Sequence, residues 1–190
     1  MRLAFYAPLK PPTHITPSGD RAMARGLMAA LSRIGGDVTL ASTLRSRDGV
    51  GDTATQSRLM AQAETEIARL IPQGRRIGWQ AWISYHNYYK APDLIGPAVA
   101  QALGIPYLQV ESTRARKRLS GPWADFAKAA EDAADAAAVI FYVTTRDAQT
   151  LQRDAPEGQH LIHLRPFLVR DDLPAPSTLD GPMLSVGMMR

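Results

Sequence analysis

Short apolar runs and longer amphipathic stretches take turns along this chain, and few folds accept such a rhythm. The apolar runs lie at residues 2–7, 38–41, 81–85, 107–110, 138–143 and 161–164. They read as near-continuous apolar segments, as strands covered on both faces do. The stretches between them carry helical spacing. Met23, Leu27, Ala30, Leu31 and Ile34 make one apolar stripe in a helix that starts at Ser18, Gly19 and Asp20 and stops at Gly35 and Gly36. Leu59, Ala63, Ile67 and Leu70 do the same over residues 55–70, where Pro72, Gln73 and Gly74 are expected to end the helix. Further helices are expected over residues 93–103, closed by Gly104, over residues 122–136, with Pro122 in first position, and over residues 145–153. Strands alternating with helices build a parallel sheet with both faces covered, and right-handed crossovers make it doubly wound. A Rossmann-like α/β domain is therefore expected over residues 1–169.

Composition narrows the chemistry. The 190 residues are 45% hydrophobic and 21% charged, a globular balance with room for one substantial core. There is no cysteine, so disulfides, thiolate catalysis and cysteine-ligated zinc are excluded together. The opening residues form too short an apolar run for a secretory leader, and no stretch reaches the ~20 apolar residues of a membrane-spanning helix. A cytoplasmic protein is expected, with peripheral contact at the inner face of a membrane as an extension of that expectation. Net charge is +4, which suits anionic partners such as nucleotide phosphates, acidic lipid or nucleic acid without choosing among them.

Residues 170–182 turn proline- and aspartate-rich, like a linker, and residues 183–190 read as another strand and its turn. A second domain is expected to follow.

In an open parallel sheet, ligands bind beyond the carboxyl ends of the strands. The unusual polar residues fall there repeatedly: Ser18, Gly19 and Asp20 after the first strand, and His86, Asn87, Tyr88, Tyr89 and Lys90 after the third. Glu111 and Arg114 follow the fourth, Arg146 the fifth and Arg165 the sixth. These loops are expected to converge on one rim. A dinucleotide site wants a Gly-x-G-x-x-Gly turn after the first strand and an acid after the second; the chain has Gly19 alone and then Ser42, Thr43, Leu44 and Arg45. A phosphate loop with a Gly-Lys-Ser/Thr ending is absent, and Tyr85 and His86 stand where a receiver domain needs an aspartate.

The chain resembles the amino-terminal domain of family 4 glycosyltransferases of the GT-B type. The resemblance is carried by the opening strand through Pro8, the proline-rich loop into Pro17, Ser18, Gly19, Asp20 and Arg21, and the Leu164, Arg165, Pro166 and Phe167 stretch. It implies an acceptor-side half of a retaining, metal-independent transferase. The second half would bind a nucleotide-sugar donor, no cofactor would be bound by this domain, and the fragment would be inactive alone. The family has paired glycines at the loop-to-helix junction, where this chain has Ser18 and Gly19; serine is a good helix cap, and glycine lets a phosphate approach the backbone. Glu111 stands where family members often carry histidine.

His86 and Glu111 are the catalytic candidates. Ser18, Gly19, Asp20, Asn87, Tyr88, Lys90, Arg114, Arg146 and Arg165 are the candidates for substrate or phosphate contact. Arg114, Arg116, Lys117 and Arg118 form a basic run that is either a solvated loop or a contact for a phosphorylated acceptor or anionic lipid; no recognition-helix motif accompanies it, so nucleic acid is not expected. His160 and His163 lie an odd number of positions apart in a strand and should face opposite ways, so no metal site is expected. Two rival functions share these features. One is a stand-alone module binding an anionic ligand or partner, and the other a sugar-nucleotide epimerase of the same two-domain architecture.

Overall fold

Six strands lie in one sheet: β1 (Arg2–Tyr6), β2 (Asp37–Leu40), β3 (Ala81–Asn87), β4 (Tyr107–Ser112), β5 (Val139–Tyr142) and β6 (His160–His163). Their order is β2-β1-β3-β4-β5-β6, and each neighbouring pair is parallel. The computed structural model describes residues 1–167 and 180–182. The expected linker over 170–182, apart from the exposed Asp180, Gly181 and Pro182, and the expected strand over 183–190 lie outside the described residues.

The helices are α1 (Gly19–Arg33), α2 (Thr53–Ile77), α3 (Gly96–Leu103), α4 (Ala124–Ala136) and α5 (Thr145–Asp154), with a 3-10 turn at Arg116–Arg118. Alternate strand residues divide between two cores. Ala4, Tyr6, Trp82, Tyr107 and Ile140 meet Ala63 and Leu70 of α2, Val99 and Ala100 of α3, Ala134 of α4 and Leu151 of α5. Leu3, Phe5, Ile83, Tyr85 and Val110 meet Ala24 and Leu27 of α1. The chain is thus a doubly wound, all-parallel, Rossmann-like α/β domain. It steps from β1 outward to β2 through α1, then back past β1 to β3 through α2, and onward in one direction. Right-handed crossovers put the outward step through α1 on one face and the later steps, through α2 to α5, on the other.

That asymmetry corrects one expectation. Among the described residues α1 alone covers its face, so toward β6 the sheet is less enclosed than continuous apolar strands imply. Leu108 and Phe141 are half-buried and Ile162 is 45% exposed. The opposite core is better enclosed. Trp82 is fully buried, edge-on to Tyr6 and Trp79 with ring centres 6.3 and 5.8 Å away, and burying an apolar side chain of this kind contributes ~2–3 kcal/mol.

Helix ends follow local chemistry with two exceptions. Ser18 caps α1 by accepting from the Arg21 N–H at 3.2 Å, and Asp52 caps α2 by accepting from Ala54 and Thr55 at 3.2 and 3.3 Å. Contrary to expectation, α2 runs through Pro72 and stops only at Gly78, whose φ of 75° supplies a left-handed cap. Pro72 forfeits one helical hydrogen bond, but the stretch beyond it docks Ile77 on the core and seats Gly74 against Trp79 and Leu103. Pro122 is the second exception. It precedes α4 rather than opening it, sits in a turn closed from the Ala124 N–H to the Gly121 carbonyl, and gives its own carbonyl to Gln56 Nε2 at 2.8 Å.

Candidate functional site

Among the described residues, only two that are not glycine have a left-handed backbone: His86 with φ 66° and Glu111 with φ 58°. Tyr85 pairs with Val110 and Asn87 with Ser112, so the two kinks stand directly opposite each other at the carboxyl ends of β3 and β4. Each places an L-residue where a Cβ is disfavoured, at a cost of ~1–2 kcal/mol. Both expected loop residues are in fact inside their strands. The kinks break the period-two alternation. Ser84 faces the α2–α5 side and Tyr85 the α1 side, yet Asn87, two residues beyond Tyr85, again faces α4, where its Nδ2 donates to the Ala130 carbonyl at 2.9 Å. His86 is released toward α1, and Glu111 toward Tyr85.

These side chains gather on the α1 side of the rim. His86 Nδ1 lies 3.0 Å from Asp20 Oδ1. An ionised carboxylate only accepts, so Nδ1 donates, and a neutral ring keeps its Nε2 lone pair. The Tyr85 hydroxyl lies close to the Glu111 carboxylate. Burial, the Glu111 carboxylate and then Asp20 all push its ionisation far above the usual phenol value. Tyr88 leans on His86 with ring centres 5.0 Å apart; its hydroxyl is also raised, chiefly by burial and against the opposing pull of Arg47.

The position is the one where the fold leaves a crevice. The chain turns opposite ways after β1 and β3, so their neighbouring carboxyl ends form a topological switch point, and the Asp20–His86 pair bridges it. Beside it, Gly19 begins α1, whose first N–H groups have no intrahelical acceptor. Gly19 has no left-handed φ, and a Cβ there would meet nothing within 4 Å, so the fold does not require glycine at this position. A groove of about 690 Å³ runs along this end of α1, between Ser18, Gly19, Arg21, Met23 and Phe167.

Behind the rim lies a polar support. Asp93, 2% exposed, accepts from the Ile95 and Gly96 N–H groups at 2.9 and 2.7 Å, from the Tyr107 hydroxyl at 2.7 Å, and from Ser84. Asn87 takes the Asp93 N–H at 2.9 Å and donates to Ser112 at 3.2 Å. Its amide is fully occupied, so Asn87 is a strut between β3, β4 and α4 rather than a group turned to ligand. Arg114 is likewise behind the surface, 3% exposed at its side chain and paired with Glu131 and Asp135 at 2.8 and 2.6 Å. It is not the solvated loop residue that its place in a basic run implies.

Further along, the rim becomes aromatic and basic. Tyr89 meets Trp123 edge-on with centres 5.7 Å apart. Lys90 Nζ lies 5.2 Å from the Trp123 ring and 5.7 Å from Tyr89; the Arg118 guanidinium lies 5.2 Å from Tyr89 and 5.4 Å from Trp123. The segment after β2 braces this ledge. Asp48 is buried, with its N–H on the Lys90 carbonyl at 2.9 Å, and its carboxylate accepts from Val50, Gly51, Asp52 and Gln56 Nε2 at 2.7 to 3.0 Å. Burial alone would raise that carboxyl, but the hydrogen bonds outweigh it and hold it below its ordinary value.

Of the residues singled out in the sequence, the structure joins Asp20 and His86 directly, sets Tyr88 against them, and turns Glu111 to the same side. Lys90 belongs to the aromatic ledge. Arg146 is exposed at the start of α5 beside the basic run, and Arg165 is exposed after β6. Sequence reasoning missed Tyr85, Asp48, Trp123 and the cation-aromatic role of Arg118. Gly121, Pro122 and Trp123 form a turn signal at the rim, which was the available clue for Trp123. His163 stacks on Tyr142 at 5.2 Å. Among the described residues no group of three or more metal-ligating side chains gathers, and no helix is long and apolar enough to cross a membrane.

Compared with protein-family models and with curated proteins, the chain matches none.

Proposed function

We propose that this chain is the amino-terminal, acceptor-side domain of a GT-B glycosyltransferase that moves a sugar from a nucleotide-sugar donor to an acceptor hydroxyl. The observation that carries the reading is the matched pair of left-handed residues, His86 and Glu111, at the switch point beside an open helix amino end. Backbone strain of this kind persists where surrounding structure holds it, and it concentrates at working sites. The geometry suits acceptor handling. His86, fixed by Asp20, offers Nε2 to an acceptor hydroxyl, and Glu111, beside the Tyr85 hydroxyl, offers a second acceptor of hydrogen bonds. The resemblance to family 4 supplies the rest of the proposal: a second domain carrying the donor, retention of configuration, and no metal requirement. In it, donor phosphate charge meets the amino end of α1 at Gly19 and the basic rim side chain of Arg165.

The test is nucleotide release by the full-length protein offered UDP-, GDP- and ADP-sugars with a panel of acceptors. Release that depends on both donor and acceptor supports the reading; no release with any donor overturns it. A binding module without catalysis is the second reading, favoured by the basic cleft at Arg116–Arg118. It predicts anion binding with no turnover.

A further inference from the structure

The rim's positive charge is concentrated. The 3-10 turn Arg116–Arg118 and the amino half of α5 face each other across a cleft of about 550 Å³ lined by Tyr89 and six cations. Three of these have carboxylate partners. Arg114 pairs with Glu131 and Asp135, while Arg116 and Arg153 share Asp154 at 2.9 and 2.6 Å. Among the described residues no carboxylate comes within 4.0 Å of the other three, Lys117, Arg118 and Arg146. One acid does line the cleft, Asp147, and its carboxylate is engaged by the hydroxyls of Thr144 and Thr113. Arg118 is held against Tyr89 and Trp123, and its Nε is buried without an acceptor, as is that of Arg114. Unpartnered buried donors are uncommon in a finished site. The cations here are thus positioned by aromatics, by ion pairs on their neighbours and by a helix start, with no counter-charge of their own.

We propose that this cleft binds the phosphoryl group of a small phosphate ester, between Lys117, Arg118 and Arg146. Three uncompensated cations match a dianion with several acceptor oxygens. The concavity is of the size that encloses a small molecule, whereas a lipid surface or a nucleic acid favours a flat or extended basic patch. Calling the ester an acceptor rests on the glycosyltransferase reading; the anion site itself does not.

The experiment is calorimetric titration of the full-length protein with hexose 6-phosphate, with the unphosphorylated hexose, and with phosphatidylglycerol–phosphatidylcholine vesicles. Two double variants accompany the parent, Lys117→Glu/Arg146→Glu in the cleft and Arg58→Glu/Arg76→Glu on exposed positions of α2. Both pairs change net charge equally and sit on the surface, so folding is preserved. The expected result is binding of the phosphate ester and not of the free hexose. Affinity should fall by about tenfold or more in the cleft variant and by less than about twofold in the control. Failure of the ester to bind, an equal loss in both variants, or binding of vesicles alone overturns the proposal. Ester binding without nucleotide release retains the cleft and removes the transferase; nucleotide release without ester binding does the reverse.

Discussion

His86 Nδ1 stands 3.0 Å from Asp20 Oδ1, so the end of β3 is tied to the first turn of α1 across the switch point of the sheet. The imidazole is 21% exposed and the carboxylate 34%, an accessible pair whose contribution to stability is below about 1 kcal/mol. Its value is positional: Asp20 fixes which ring nitrogen carries the hydrogen and where the other points. If the glycosyltransferase reading holds, Asp20→Asn and His86→Gln should each lower kcat/KM by about 100-fold. The double variant should lose little more than either single one, because the two residues act as one unit. Steady-state kinetics with thermal melts checks both halves of this expectation. Additive losses would show that the residues work separately, and a large drop in melting temperature would make the pair structural.

Glu111 tests the strain directly. Glycine usually costs stability relative to alanine, yet at a left-handed position the order inverts. Glu111→Gly should therefore be more stable than Glu111→Ala by about 1 kcal/mol, since only alanine retains the Cβ clash. Both variants lose the carboxylate, so under the glycosyltransferase reading they should lose activity alike. Chemical denaturation gives the stability order. Alanine equal to or above glycine would mean that the φ of 58° is not what the backbone adopts in solution.

What could be read beforehand follows from how local each cause is. The six strands and five helices declared themselves because spacing over a few residues decides which face is apolar, and Ser18 and Gly104 start and end helices by their own chemistry. The misreadings share a non-local cause. Pro72 would end an isolated helix; α2 continues because Trp79, Leu103 and the core reward the turn beyond it. The kinks at His86 and Glu111 depend on Asn87 being held by Gln109, Ser112 and Ala130, and nothing in a histidine or a glutamate announces a positive φ. Arg114 looked free because its partners, Glu131 and Asp135, lie on α4. Strand-end position drew attention to these residues; it could not say which face the rim and which the interior.

Two glycines separate fold from function. A Cβ on Gly96 would collide with the Asp93 carboxylate and stand 2.6 Å from both Trp82 Nε1 and Tyr107 Cε2. All three are buried and hydrogen-bonded, so Gly96→Ala should cost about 2–4 kcal/mol. Gly19→Ala meets open space without a left-handed φ and should leave stability unchanged or raise it by about 0.5 kcal/mol. If donor phosphate approaches the backbone at the start of α1, the same change should raise the donor KM by about tenfold. Paired melting curves and donor titrations decide it: an unchanged KM removes Gly19 from the site, and a destabilised Gly19→Ala contradicts the open space around it.

Asp48 makes the acid limit of the fold measurable. Burial opposes its ionisation, but the N–H groups of Val50, Gly51 and Asp52 and the Gln56 amide prevail, so its folded-state pKa lies below the ordinary 3.8. A carboxyl depressed in this way favours the fold when charged. Its contribution is whole above about pH 5, shrinks as pH drops below the unfolded value and vanishes beneath the folded one. Asp48→Asn keeps the shape but replaces charge-assisted bonds with weaker ones, and should cost about 2 kcal/mol at about pH 7. Because the parent surrenders the same advantage on protonation, the gap between parent and variant should narrow steadily as pH falls toward about 3. Urea unfolding of both proteins across that range reads the gap. A difference that stays constant would mean that Asp48 braces the Lys90 and Trp123 ledge through its backbone contacts alone.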